Sequence, residues 1–356
     1  PFAVNVRAGV ALRRTPASSI RTATPSKYPG LAFMQNLVTV FGGSGFIGGQ
    51  TVRRLARAGW RIRVAVRNPN LAHAMRLHGD VGQIDIVQAN VRNAPSLRRA
   101  LEGADVAINL VGILAENGRQ GFQAVQAMGA RNVAAAAKAQ GVTRLVQMSA
   151  IGADAASPSK YARTKAEGEA AAREIFPGAV VVRPSIVFGA GDGFFNRFAG
   201  MAQLSPVLPL IGGGHTRFQP VYVDDVAQAL AGAAGAAEAE GRTYELGGPG
   251  VFSFRQLMEL MLAEIGKRRF LAPVPWPIAS LMGAAGDFAG LAIAPPITAD
   301  QVLLLKSDNV VSGAFPGLSD LGITPATLEA VLPTYLYRYR RGGQYADQED
   351  RELATA

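Results

Sequence analysis

The stretch 37–59, LVTVFGGSGFIGGQTVRRLARAG, limits what this 356-residue chain can fold into more than any other. Val38, Thr39, Val40 and Phe41 form an apolar, β-branched run that predicts a short buried strand. The run stops at Gly42-Gly43-Ser44-Gly45-Phe46-Ile47-Gly48, after which Val52, Leu55 and Ala56 recur at helical spacing. Strand, glycine turn and helix N-terminus in that order make an anion site. Gly42 permits the turn, Gly45 lets a pyrophosphate approach the backbone, and Gly48 lets helix and strand pack closely. The first amides of the helix and its positive dipole end then face the phosphates. The spacing is Gly-x-x-Gly-x-x-Gly, not the Gly-x-Gly-x-x-Gly of the common dehydrogenases. In this setting it predicts a dinucleotide site rather than a strand–turn–helix that binds nothing.

From Met34 onward strands and helices alternate. Strands are expected over 61–66, 84–89, 104–110, 144–148 and 179–182, with helices over 70–78, 95–102, 121–140 and 161–174. Repeated βα units of this length predict an α/β fold, a Rossmann-like doubly wound parallel sheet over 34–188. Residues 189–340 read as a smaller, mostly helical C-terminal lobe with strands returning to the sheet. Within it we expect a helix over 194–203, a strand over 218–223, a helix over 226–237 capped by Asp224 or Asp225, and a strand over 243–246. A helix over 254–265 and a rigid proline-rich connector over 273–277 follow, and 341–356 forms a tail. Residues 1–33 hold Arg7, Arg13, Arg14, Arg21 and Lys27 with no acid. That is the composition of a mitochondrial transit peptide, or of a non-native leader ahead of a start at Met34.

The net charge of +10 is uneven, for residues 1–79 contain twelve Arg and Lys and no Asp or Glu. Either a basic face meets phosphates, anionic lipid or an acidic partner, or an arginine-favouring genome wrote the sequence. The absence of Cys excludes disulfides, thiolate metal sites and cysteine nucleophiles. His73, His78 and His215 match no metal-binding spacing, so no metal is expected. No uncharged apolar run reaches the ~18 residues of a spanning helix, so any membrane contact would be peripheral.

A NAD site usually carries an acid about 20 residues past the glycines, on the ribose 2′-hydroxyl. Here the second strand ends in Arg67, with Arg63 nearby and no acid. A guanidinium there suits a 2′-phosphate, which predicts NADP(H) over NAD(H); the alternative is a solvated strand-end arginine. Tyr161 and Lys165 lie one helical turn apart. An ammonium beside a phenol favours the phenolate and would make Tyr161 a usable acid–base group. Ser149, ending the fifth strand, could hydrogen-bond a substrate carbonyl or be a turn serine. Asn109 to Gly112 end the fourth strand, where they either line the nicotinamide channel or make a turn. Arg183 and Pro184 follow the sixth strand, where backbone would pass the nicotinamide.

Gly42-x-x-Gly45-x-x-Gly48, Asn109-Leu-Val-Gly112, Tyr161-x-x-x-Lys165 and Arg183-Pro184 resemble the extended or atypical branch of the short-chain dehydrogenase/reductase superfamily. Three segments look more narrowly like the nucleotide-binding accessory subunits of respiratory complex I and their bacterial relatives. They are Lys160-Tyr-Ala-Arg-Thr-Lys-Ala-Glu-Gly-Glu169, Phe218-Gln-Pro-Val-Tyr-Val-Asp-Asp-Val226 and Phe315-Pro-Gly-Leu-Ser-Asp-Leu-Gly-Ile-Thr324. The resemblance implies a structural NADPH held by Gly42, Gly45, Phe46, Ile47, Gly48 and Arg67. Asn90, Val91, Val111, Gly112 and Pro184 would line the site, with Tyr161 and Lys165 on the nicotinamide ribose. It also implies complex I subunits as partners, near an anionic membrane surface. The location would be the cytoplasmic face of a bacterial inner membrane or the matrix side of the mitochondrial one. The other reading is an active NADP(H)-dependent oxidoreductase or epimerase using Ser149, Tyr161 and Lys165. Two departures stand out: Phe41 replaces the frequent Thr before the first glycine, and Asn90 replaces the acid after the third strand.

The apolar stretch 276–291 and the alternating Tyr337, Arg338, Tyr339 and Arg340 suit docking against a partner or headgroups, or the amphipathic end of a last helix. Nothing suggests nucleic acid, for which an aromatic platform is lacking.

Overall fold

The structure, a computed structural model, describes residues 36–289 and 297–345. The basic extension expected over 1–33, and all of the tail beyond 345, lie outside the described residues. Seven parallel strands build the main sheet. These are β1 (Leu37–Phe41), β2 (Arg61–Val66), β3 (Ile84–Gln88), β4 (Val106–Asn109), β5 (Arg144–Met148) and β6 (Val180–Pro184), joined by a late strand introduced below. The strand order 3-2-1-4-5-6 is that of a doubly wound sheet, and its direction reverses between β1 and β4, where Val40 pairs with Val64 on one side and Ile108 on the other. That reversal opens a crevice at the carboxyl ends of β1 and β4, where such sheets bind ligands.

Helices α1 (Phe46–Arg57), α2 (Ala94–Leu101), α3 (Met128–Ala139) and α4 (Lys160–Ile175) cover both faces. Val52 and Leu55 of α1 pack with Val38, Val40 and Val64 in one core. Leu97, Val133, Ala137 and Leu145 form another. Burial on both faces explains why these strands read as continuous apolar runs. A π-helical turn, Gln123–Ala127, precedes α3 inside the stretch expected to be one long helix. The helix expected over 70–78 is two 3₁₀ turns instead, Pro69–Leu71 and His73–His78. Leu71 and Leu77 are exposed, and only the buried Ala72 and half-buried Met75 meet the core, so the packed face is too narrow to support an α-helix there.

Beyond β6 come β7 (Val187–Phe188), α5 (Phe195–Leu204), β8 (Val207–Ile211), β9 (Arg217–Phe218), β10 (Val221–Tyr222) and α6 (Val223–Gly235). Then follow β11 (Thr243–Leu246), β12 (Phe252–Ser253), α7 (Phe254–Glu264), β13 (Phe270–Val274), α8 (Trp276–Ala289) and α9 (Ala299–Leu304). Strand β11 is the seventh of the sheet, beside β6. The single strand expected over 218–223 is split at Pro220, which has no N–H to continue a ladder: β9 pairs with β12, and β10 with β7. Asp224 and Asp225 are not caps, because α6 starts one turn earlier with Tyr222 at its N-cap. Asp224 pairs with Arg54 of α1, and Asp225 accepts from the Ala326 amide at 2.8 Å. The connector expected over 273–277 is partly strand: Pro273 pairs with Leu210 in the small β8–β13 sheet, while Pro277 sits in the first turn of α8. Gly290 and Leu291, the end of the expected apolar stretch, lie outside the described residues.

The last described elements are α10 (Leu328–Val331), α11 (Pro333–Leu336) and two 3₁₀ turns, Tyr337–Tyr339 and Gly343–Tyr345. The aromatic and basic residues here engage their own chain. Arg338 meets the Asn196 side chain, Arg340 meets Glu264, and the buried Tyr335 hydroxyl donates to Asp192 Oδ2 at 2.6 Å.

A buried ionic cluster ties the two parts together. Arg183 of β6 donates to both carboxylate oxygens of Glu169 on α4, at 2.9 and 2.6 Å. It lies 3.7 Å from Glu245 on β11 and stacks at 5.2 Å over the Phe315 ring. Replacing it strands two buried carboxylates. We expect Arg183→Met to cost about 3–5 kcal/mol in urea unfolding at pH 7.

Candidate functional site

Gly42 ends β1 with φ of +76°, a conformation few other residues adopt without strain. Gly48 is required by space: a Cβ there would lie 2.3 Å from the Gly42 carbonyl oxygen and 2.7 Å from Gly43 Cα. Helix α1 therefore starts pressed against the strand end, with Gly45 at its N-cap. No side chain caps this helix and its first turn holds no acid. The amides of Phe46, Ile47 and Gly48 are thus left for an anion, beside an exposed Gly45. A diphosphate fits this cradle.

Arg67 stands exposed after β2, its guanidinium donating to the Gln120 side chain. Arg63 is committed elsewhere, since Nη1 donates to the Ala100 and Glu102 carbonyls, both at 2.8 Å, at the end of α2. Asn90 Oδ1 accepts from the Arg92 amide at 3.0 Å, a local turn, and Val91 is buried against Gly129. Asn109 is turn chemistry rather than channel lining. Buried at 1% exposure, it donates to Gln147 at 2.9 Å and accepts from the Val111 amide at 3.2 Å.

Val111 and Gly112 continue from that turn. Val111 lies next to Gly42, and a Cβ on Gly112 would come within 3.2 Å of Lys165 Nζ. The missing side chain makes room for the ammonium, which sits 5.7 Å from the centre of the Tyr161 ring. Phe122 meets that ring edge to face at 5.9 Å. Burial pushes the Tyr161 phenol up to about 12. Burial also pushes the Lys165 ammonium down to about 8, against an opposing pull from Glu169. The phenol thus moves opposite to the direction expected from its neighbour, because desolvating a phenolate outweighs the nearby cation. Ser149 is 3% exposed and its Oγ has no hydrogen-bond partner among the described residues. A buried hydroxyl left so costs on the order of 1–3 kcal/mol, and a polar ligand atom would relieve it. Pro184 is alongside: its carbonyl accepts from the Ile151 amide at 3.0 Å, two residues past Ser149.

The structure therefore joins the glycine turn, Val111, Gly112, Lys165 and Tyr161 along one edge of the sheet. Asn90 and Val91 carry local backbone and core roles. Asp300 of α9 escaped sequence reasoning, yet it accepts from the Lys160 amide at 2.6 Å and the Tyr161 amide at 3.1 Å. The Thr298 and Gln301 capping box ahead of 299–304 was its one available signal, and it marks only a helix start.

The model of the NAD dependent epimerase/dehydratase family matches residues 38–247. Over 316 residues the chain is 35% identical to the mitochondrial NADH dehydrogenase (ubiquinone) 1 alpha subcomplex subunit 9 of Arabidopsis thaliana, covering 86% of this chain and 79% of that one. It is also 35% identical over 196 residues to a ceramide reductase of Caulobacter vibrioides, covering 55% and 60%. An NADPH-dependent quinone oxidoreductase of Escherichia coli, solved with NADPH, superposes with a TM-score of 0.63 at 24% identity, covering 82% of this chain and 97% of that one. At that identity the likeness concerns the fold. Among the described residues no helix is long and apolar enough to cross a membrane.

The lowered Lys165 pKa makes a signed prediction. Between about 8 and the ordinary 10.5 the unfolded chain binds more protons at this residue, so stability should rise with pH across that window. Lys165→Met should therefore be more stable than the parent in urea at pH 7 without dinucleotide, and the difference should close by pH 10.5.

Proposed function

Because the chain belongs to the NAD dependent epimerase/dehydratase family, we propose that it holds NADPH as a structural group in an accessory subunit of respiratory complex I. The carrying observation is its 35% identity with alpha subcomplex subunit 9 over 86% of the chain, a span longer than the family match alone. The diphosphate rests on the open first turn of α1. Arg67 exchanges Gln120 for the adenosine 2′-phosphate, and Tyr161 and Lys165 hold the nicotinamide ribose. A phenol held protonated by burial suits a hydrogen bond to a ribose better than proton abstraction. The subunit lies peripherally on the cytoplasmic face of a bacterial inner membrane, or on the matrix side if the chain is mitochondrial, with complex I subunits as partners.

A second reading is favoured by the ceramide reductase similarity and by the unpartnered Ser149 hydroxyl. In it the protein is an NADP(H)-dependent oxidoreductase. Ser149 orients a carbonyl, Tyr161 exchanges a proton with its oxygen, and Lys165 supports the phenol.

Two measurements separate the readings. The endogenous protein should migrate with complex I in native gels and carry NADPH that it does not turn over against a panel of carbonyl compounds. Turnover abolished by Tyr161→Phe would establish the second reading instead. Arg67→Ala should weaken NADPH about 10- to 100-fold, as expected for a charge-assisted contact, and leave NADH nearly unchanged.

A further inference from the structure

We propose that Asp300 is a positioning residue for the dinucleotide site, and that α9 is a clasp whose docking and nucleotide binding reinforce each other. The inference rests on the reading that a nicotinamide dinucleotide binds beside Tyr161 and Lys165. Helix α4 has four orphan amides at its start, as every helix does. Two are satisfied locally: the amide of Ser159, the N-cap, donates to Ser157 Oγ at 3.2 Å, and Ser159 Oγ accepts from the Ala162 amide at 3.2 Å. The other two belong to Lys160 and Tyr161, and both donate to Asp300, which lies 140 positions away from Lys160. The Ser159 hydroxyl also donates to Asp300, at 2.8 Å. A carboxylate from another part of the chain thus sets the first turn of the helix that presents Tyr161 and Lys165.

The next residue grips the opposite wall. Gln301 Nε2 donates to the Leu114 carbonyl at 3.2 Å, in the segment that follows Gly112. Gly112 and α4 are the two surfaces between which the Lys165 ammonium lies. Two adjacent residues of α9 therefore hold both walls at once, and Asp287 of α8 anchors the clasp by accepting from the Ala299 amide at 3.2 Å. If α9 fixes the spacing of those walls, a nucleotide that needs the same spacing must stabilise α9 in return, since coupling between two sites is reciprocal.

The test uses the full chain, titrated with NADPH by calorimetry and followed by amide hydrogen exchange. Asp300→Ala should weaken NADPH about tenfold, the size of a lost helix cap, and Asp300→Asn, which keeps one acceptor oxygen, should fall between. In the parent, NADPH should slow exchange over 299–304, and Asp300→Ala should abolish that effect. If Asp300→Ala does not fold, Gln301→Ala, which releases the Leu114 wall, carries the same expectation. A variant that melts earlier yet binds NADPH as the parent does would reduce Asp300 to a helix cap and overturn the proposal alone. A parent that binds no dinucleotide would overturn it together with the reading it rests on.

Discussion

The carbonyl of Gly42 lies so close to Gly48 that no side chain fits between them, and this contact fixes α1 to the end of β1. From it follow the position of the uncapped first turn, its direction toward the crevice between β1 and β4, and the reach of Arg67 from the neighbouring strand. A single methyl group at residue 48 would force the helix away from the strand. The glycines matter less for flexibility than for distance, since they bring backbone amides where a side chain would otherwise stand.

The two helix starts that frame the site are built in opposite ways. That of α1 has no capping side chain and no acid, so its dipole remains uncompensated. That of α4 has all four amides occupied, two by Asp300, one by the Ser159 hydroxyl and one by that of Ser157. An open end suits a ligand that arrives from solution, whereas a closed end suits a wall that must not move. Between them Lys165 is kept from water, which lowers its affinity for a proton, while Glu169 beside it is engaged by Arg183. The same Arg183 links α4 to β6 and, through Glu245, to β11, so the site's wall and the sheet's last strand share one buried charge cluster.

The strands of the sheet were legible because they are buried on both faces. The bounds of β2, β5 and β11 coincide with the apolar runs, and the motif after β1 pointed to the crevice. The misreadings share a different cause, since each depended on what lay across from the residue. His73–His78 has helical spacing but packs on the core through little more than Met75. Asp224 and Asp225 have the right chemistry for caps, but Arg54 and the Ala326 amide claim them. Tyr161 and Lys165 lie one turn apart on α4 as their spacing predicts, whereas the direction of the phenol's shift depends on how completely the surroundings exclude water. Asp300 could not be paired with α4 by any local pattern, because 140 positions separate it from Lys160.

The pairing of Tyr335 with Asp192 has a consequence for the order of assembly. Tyr335 and Leu336 fill the same core as Phe188, Phe195 and Leu208, so that core lacks a side until residues near 335 have left the ribosome. The sheet through β6 can close long before, as N-terminal units do during synthesis. For the interval in between, the nascent chain carries the β1–β6 strands and α4 without the Asp300 contact to its first turn, and with a hydrophobic layer still exposed to water.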